Sequence, residues 1–88
     1  MTSAESTGNK ISLNLSRAEA LVLFEWLSRN WEKTHWDDSR LFVDPAERQV
    51  LIWLEADLAK LISETFNNEY AVLIQKSYRE VLPDPESL

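Results

Sequence analysis

Few residues in this chain stand at a spacing fit for chemistry. Glu32 and His35 form E-x-x-H, the spacing on which a helix of a carboxylate-bridged di-iron protein presents two ligands. Such a site draws on two copies of the motif and two further glutamates, all turned into a bundle. Here there is one copy, and its histidine is the only one in the sequence. The plainer reading is a surface histidine in a loop. Asp37 and Asp38 follow closely and suggest a weak cation site, but their spacing matches no EF-hand loop. Nucleophilic catalysis asks for a Ser or Cys beside a base. There is no cysteine, and nothing in the spacing ties a serine to His35. Glu55 and Asp57 flank the apolar arc of a helix and as a pair could run acid–base chemistry. Helix-edge charges reaching solvent, with Asp57 beside Lys60, are the simpler account. The expectation is a protein that is not an enzyme and has no catalytic, metal-binding or cofactor-binding residue.

Composition narrows the classes further. Eighty-eight residues make one domain with a modest core. The absence of cysteine removes both a disulfide framework and a thiolate metal site. Fifteen acids stand against nine bases, a net charge of −6. Three of the acids, Glu5, Asp84 and Glu86, lie in the polar ends, leaving twelve against nine in the body. No basic stripe is present for nucleic acid. The single glycine, Gly8, rules out a Gly-rich phosphate loop. The N-terminus lacks the apolar core of a secretory signal, and no apolar run approaches the ~20 residues that span a bilayer. The expected setting is cytoplasmic, with no membrane partner.

The elements that would position any site follow from local signals. Residues 1–9 and 83–88 read as disordered tails around a single domain at 10–82. Lys10–Leu15 alternates, with Ile11, Leu13 and Leu15 on one side, and reads as a half-buried strand. Its expected partner is Arg40–Val43, the other short β-like run. Ser16-x-x-Glu19 is a capping box opening a helix from about Arg17 to Trp31 or Lys33. Its core arc holds Ala20, Leu21, Leu23, Phe24, Leu27 and Trp31. A second helix is expected over Asp44–Phe66, with Asp44 as N-cap, Pro45 at the first helical position and Glu47 able to reach back. Val50, Leu51, Leu54, Leu58, Leu61 and Ile62 share an arc of about 120° and form its expected core face. A third helix, Glu69 to Leu82 with Asn68 as cap, should bury Tyr70, Ile74, Tyr78 and Val81 before Pro83 ends it. The fold class is α+β and helix-dominated: a short two-stranded sheet with three helices, in the order β-α-β-α-α. The 44–66 helix is expected at the centre, touching the other two.

The segments LSRAEALVLFEWLSR, FVDPAERQVLIWLEADLAKLI and FNNEY resemble a group of short hypothetical bacterial proteins. These share a strand, an EALVLFEWL-type helix, an F-x-D-x-A-E-x-x-V-L-x-x-L-E-A-x-L helix and a last helix opened by a tyrosine. The likeness runs from about Ile11 to Leu82. It implies the same helix boundaries, a bacterial origin and a cytoplasmic setting. The group has no established activity, so no residue role carries over.

Four tryptophans in a chain this short are its most unusual feature. Trp31 lies on a core arc, and Trp36, in the connection, could fold over the core edge as a lid. Trp26 and Trp53 lie off the apolar arcs of their helices, each with an aliphatic neighbour, Val22 and Ile52. A helix apolar beyond one stripe is either buried on two sides or exposes a patch. Tryptophan in such a patch is typical of interfaces. Val22, Trp26, Ile52 and Trp53 are therefore the candidate partner interface. The expected function is a small acidic protein-interaction module: an inhibitor, an immunity or antitoxin-type protein, or an adaptor. Its charge would suit a basic partner. The alternatives are a self-associating, homodimeric module and a small-ligand binder with a site between the helices.

Overall fold

The computed structural model describes residues 2–36, 40–62 and 68–83. Two strands come first, β1 at Ser3–Thr7 and β2 at Lys10–Asn14, followed by three helices, α1 at Arg17–Thr34, α2 at Pro45–Leu61 and α3 at Tyr70–Val81. The architecture is α+β and helix-dominated, with one two-stranded antiparallel sheet.

The sheet is a hairpin in which Thr7 faces Lys10 and Ser3 faces Asn14. Gly8 has φ +60° at the first position of the two-residue loop, while Asn9 does not share the positive φ. That combination is a II′-type turn, whose twist matches the strands it joins and whose first position favours glycine. Residues 3–7, expected within a tail, are therefore the partner of β2. The expected strand at Arg40–Val43 is turn and irregular backbone instead. The second strand thus precedes the first expected one rather than following α1. Neither face of the hairpin is buried, and Ile11 remains 78% exposed.

Helix α1 starts on the full capping box. Ser16 Oγ accepts from the Glu19 amide at 3.1 Å, and Glu19 Oε1 accepts from the Ser16 amide at 2.8 Å. That backbone contact holds the Glu19 carboxyl below its ordinary value. Ala18, Leu21, Phe24 and Leu27 are buried along one side of α1. Helix α2 opens on Asp44, whose Oδ1 accepts from the Ala46 amide at 2.8 Å, with Pro45 in the first turn. Glu47 reaches back one residue past the cap, to the Val43 amide at 3.0 Å. Helix α3 has Glu69, not Asn68, at its N-cap position, with no side-chain cap bond.

The centre of the fold is α1, not α2. Helix α1 packs against both α2 and α3, whereas α2 and α3 do not pack on each other among the described residues. The core joins Leu21 and Phe24 of α1 to Ile62 and to Ile74 of α3, with Ala20, Leu58, Tyr70 and Tyr78 around them. Ser77 is also buried, its hydroxyl satisfied by the Leu73 carbonyl at 2.9 Å. Val81, expected in the core, is exposed. Helix α2 ends at Leu61, and Ile62 caps it in an extended conformation. The expected continuation to Phe66 lies outside the described residues, as do Asp37, Asp38 and the tail at 84–88. No helix among the described residues is long and apolar enough to cross a membrane.

Candidate functional site

The joint between α1 and α2 is built from aromatic rings and one guanidinium. His35 and Trp36 leave α1 with φ 52° and 58°, the left-handed region that bulky residues seldom enter. Two bends in succession turn the chain back and drop the Trp36 ring inward, where it is 2% exposed. Thr34 Oγ1 holds the turn, donating to the Asn30 carbonyl at 3.0 Å and accepting from the Trp36 amide at 3.1 Å. Arg48, one turn into α2, donates through Nη2 to the His35 carbonyl at 2.7 Å and through Nε to the Trp36 carbonyl at 3.0 Å. Its guanidinium also lies 5.8 Å from the Trp31 ring centroid, a cation–π distance. The Trp36 ring meets Trp26 at 5.4 Å and Phe42 at 6.3 Å between centroids. Trp36 Nε1 is buried with no hydrogen-bond partner among the described residues.

The residues first considered for chemistry are not gathered into one site. His35 is exposed, its carbonyl held by Arg48 and its ring edge-on to Trp31 at 4.9 Å. Among the described residues no three His, Cys, Asp or Glu side chains come together as metal ligands would. Glu55 does not stand beside Asp57. It faces α1, where burial, and then the charge of Glu32, raise its carboxyl above the ordinary value. Asp57 pairs on the outside with Lys60 at 3.7 Å. An open groove of about 430 Å³ between α1 and α2 is lined by Glu25, Arg29, Glu32 and Tyr70. Tyr70 donates to Glu25 Oε2 at 2.9 Å. Burial and that bond hold its phenol well above the ordinary value. The pair latches α3 to α1 and leaves both groups engaged with each other.

The four candidate interface residues separate in the structure. Val22 is half-buried and lines an open groove of about 520 Å³ with Tyr78, Val81, Leu82 and Pro83 of the α3 end. Trp26 rests one side on Trp36 and is otherwise exposed. Ile52 is half-buried, one turn beyond Arg48 on the same side of α2. Trp53 stands alone of the four on the far side of α2.

That far side is larger than the sequence indicated. Arg48, Ile52, Glu55, Leu58 and Ile62 share an arc of about 120°, and their contacts show that this arc faces α1 and its following turn. Val50, Trp53, Leu54 and Leu61 fall on the opposite arc, about 100° wide. Val50, Trp53 and Leu61 are 57%, 62% and 77% exposed. Helix α2 contains no buried residue at all. The expected core arc of α2 is therefore corrected: Leu58 and Ile62 keep their place, while Val50 and Leu61 turn outward. At the helix end Leu61 joins Leu13 and Leu15 of the hairpin side in lining an open groove of about 370 Å³. The exposed apolar surface thus runs from α2 toward the hairpin. No family model, curated protein or solved structure matches the chain.

Proposed function

We propose that the chain is a small protein-interaction module that docks through the outer face of α2. The observation that carries this reading is a 17-residue helix that presents Val50, Trp53 and Leu61 together to solvent. Exposed apolar side chains with a tryptophan among them, Asp57 within the same face and Glu47 and Lys60 at its two edges have the anatomy of a docking surface. An inhibitor, an immunity or antitoxin-type protein, or an adaptor would each act through such a face. The bacterial, cytoplasmic setting implied by the resemblance accompanies this reading. A small-ligand role has less support, because the grooves between the helices are open and in the polar one Tyr70 and Glu25 are engaged with each other.

A photo-reactive residue at position 53 tests the reading in the cells that produce the chain. Irradiation should give a discrete adduct from position 53 and none from position 76 on exposed α3. No adduct from position 53 would remove the proposal.

A further inference from the structure

We infer that α2 is a hinged arm: it opens from α1 as one unit and exposes its inner face, while α1 and α3 stay paired. This motion concerns the inner side of α2 and does not depend on what meets the outer one.

The two joints on α1 are unequal. Helix α3 buries Ile74 and Ser77, and Ile74 packs with Leu21 and Phe24 of α1. The Tyr70 hydroxyl adds its bond to Glu25 at 2.9 Å. Along Pro45–Leu61, α2 has only half-buried and exposed residues. It is held at its two ends, by Arg48 on the carbonyls of His35 and Trp36 and by Leu58 with the capping residue Ile62 in the core. Helices α2 and α3 do not pack on each other among the described residues, so α2 can leave without separating α3 from α1. An element with few buried contacts opens below the free energy of global unfolding.

The clasp at the first end is releasable. The bond to the His35 carbonyl is exposed, and a bond that water can replace has a modest net worth. Its release also frees the left-handed backbone at His35 and Trp36, two residues at a helix end where the chain can pivot. Between the two ends the joint carries like charges. Glu55 faces α1, and burial, then the charge of Glu32, raise its carboxyl above the ordinary value. Opening returns Glu55 to water and parts it from Glu32, so charge at neutral pH favours the open form. The open arm turns Ile52, Leu58 and Ile62 to solvent and uncovers Leu21 and Phe24 beside them, apolar surface that the closed form conceals.

Native-state hydrogen exchange of the purified chain, followed by NMR through low urea concentrations, tests the arm. Amides from Val50 to Ile62 should share one protection factor, at least about thirtyfold below those of Leu27 and Ser77, with a smaller urea dependence. Tyr70→Phe should lower protection at Leu27 and Ser77 about fivefold and leave α2 unchanged, because the bond to Glu25 survives in the open form. Arg48→Met should lower protection in α2 about tenfold. Equal protection and urea dependence across the three helices overturn the inference. So does protection graded along α2 with no common value, a Tyr70→Phe loss shared by α2, or an Arg48→Met variant that leaves α2 unchanged.

Discussion

The Arg48 guanidinium closes on the carbonyl oxygen of His35 at 2.7 Å, thirteen residues back along the chain. The same group takes the Trp36 carbonyl, so two successive left-handed residues are held by one side chain from the next helix. Each such backbone conformation costs on the order of 1 kcal/mol for a non-glycine residue. A fork of planar donors can serve both carbonyls, whereas a lysine ammonium reaches as a single point. Arg48→Lys should therefore lose about 1–2 kcal/mol in urea unfolding, close to the loss in Arg48→Met. A lysine variant as stable as wild type would show that the fork geometry is irrelevant.

His35 caps α1 at φ 52°, where glycine carries no steric penalty. Replacing it removes an edge contact to Trp31 but relieves the backbone. His35→Gly should raise stability by up to about 1 kcal/mol, visible as a higher melting temperature. His35→Ala should not, because alanine keeps the Cβ. Equal effects of the two would place the cost elsewhere.

Trp36 is nearly sealed from solvent while its indole N–H has no partner among the described residues. An unpaired buried donor costs roughly 1–3 kcal/mol, and phenylalanine lacks that donor. The smaller ring leaves a void between Trp26 and Phe42, so the two effects oppose each other. Trp36→Phe should fall within about 1 kcal/mol of wild type, whereas Trp36→Ala should lose about 3–5 kcal/mol. Chemical denaturation of both variants at neutral pH makes the comparison.

What could be read from the sequence was whatever depended on neighbours a few residues apart. Ser16 with Glu19, and Asp44 with Pro45, announced two helix starts because capping is a local reaction of side chain with backbone. Gly8-Asn9 between two five-residue strands is also a local signal, but Ser3–Thr7 contains only Ala4 as an apolar residue and so resembled a tail. The facing of α2 was not legible. Its apolar residues at 50 to 54, 58 and 61 surround the helix, so counting aliphatic side chains selects an arc without knowing what lies beside it. The arc actually used is fixed by distant anchors, Arg48 on the turn after α1 and Ile62 in the core. Trp53 stood out as a tryptophan off the apolar arc, and the structure leaves it exposed. Trp26 showed the same signal, but the ring covering one side of it arrives through left-handed backbone at His35 and Trp36. Neither residue type announces such a bend.

Tyr70 makes pH a probe of the α1–α3 latch. Its phenol is raised by burial and by donation to Glu25, so the folded state keeps the proton after an unfolded chain has released it. Above the ordinary value of 10.0 the unfolded state binds fewer protons than the folded one, and stability must fall as pH rises. Below 10.0 the contribution is fully present. Wild type should lose melting temperature between pH 10 and pH 12 more steeply than Tyr70→Phe. At pH 7 the variant should be less stable by about 1 kcal/mol for the missing hydrogen bond. Ultraviolet titration should show a tyrosine ionising far above the ordinary value of 10.0 in wild type and not in Tyr70→Phe. Parallel pH curves for wild type and Tyr70→Phe would mean that the latch opens in solution.

The outer face of α2 and the interior of α1 carry similar side chains but should respond oppositely to truncation. Leu27 is fully buried, and Leu27→Ala leaves a cavity that costs about 2–5 kcal/mol. Trp53 has most of its surface in water already, so Trp53→Ser removes little packing from the single chain. At dilute protein the serine variant should unfold within about 0.5 kcal/mol of wild type. A large loss for Trp53→Ser at dilute protein would mean that the side chain belongs to the core of one chain. The outer face of α2 would then have no docking role.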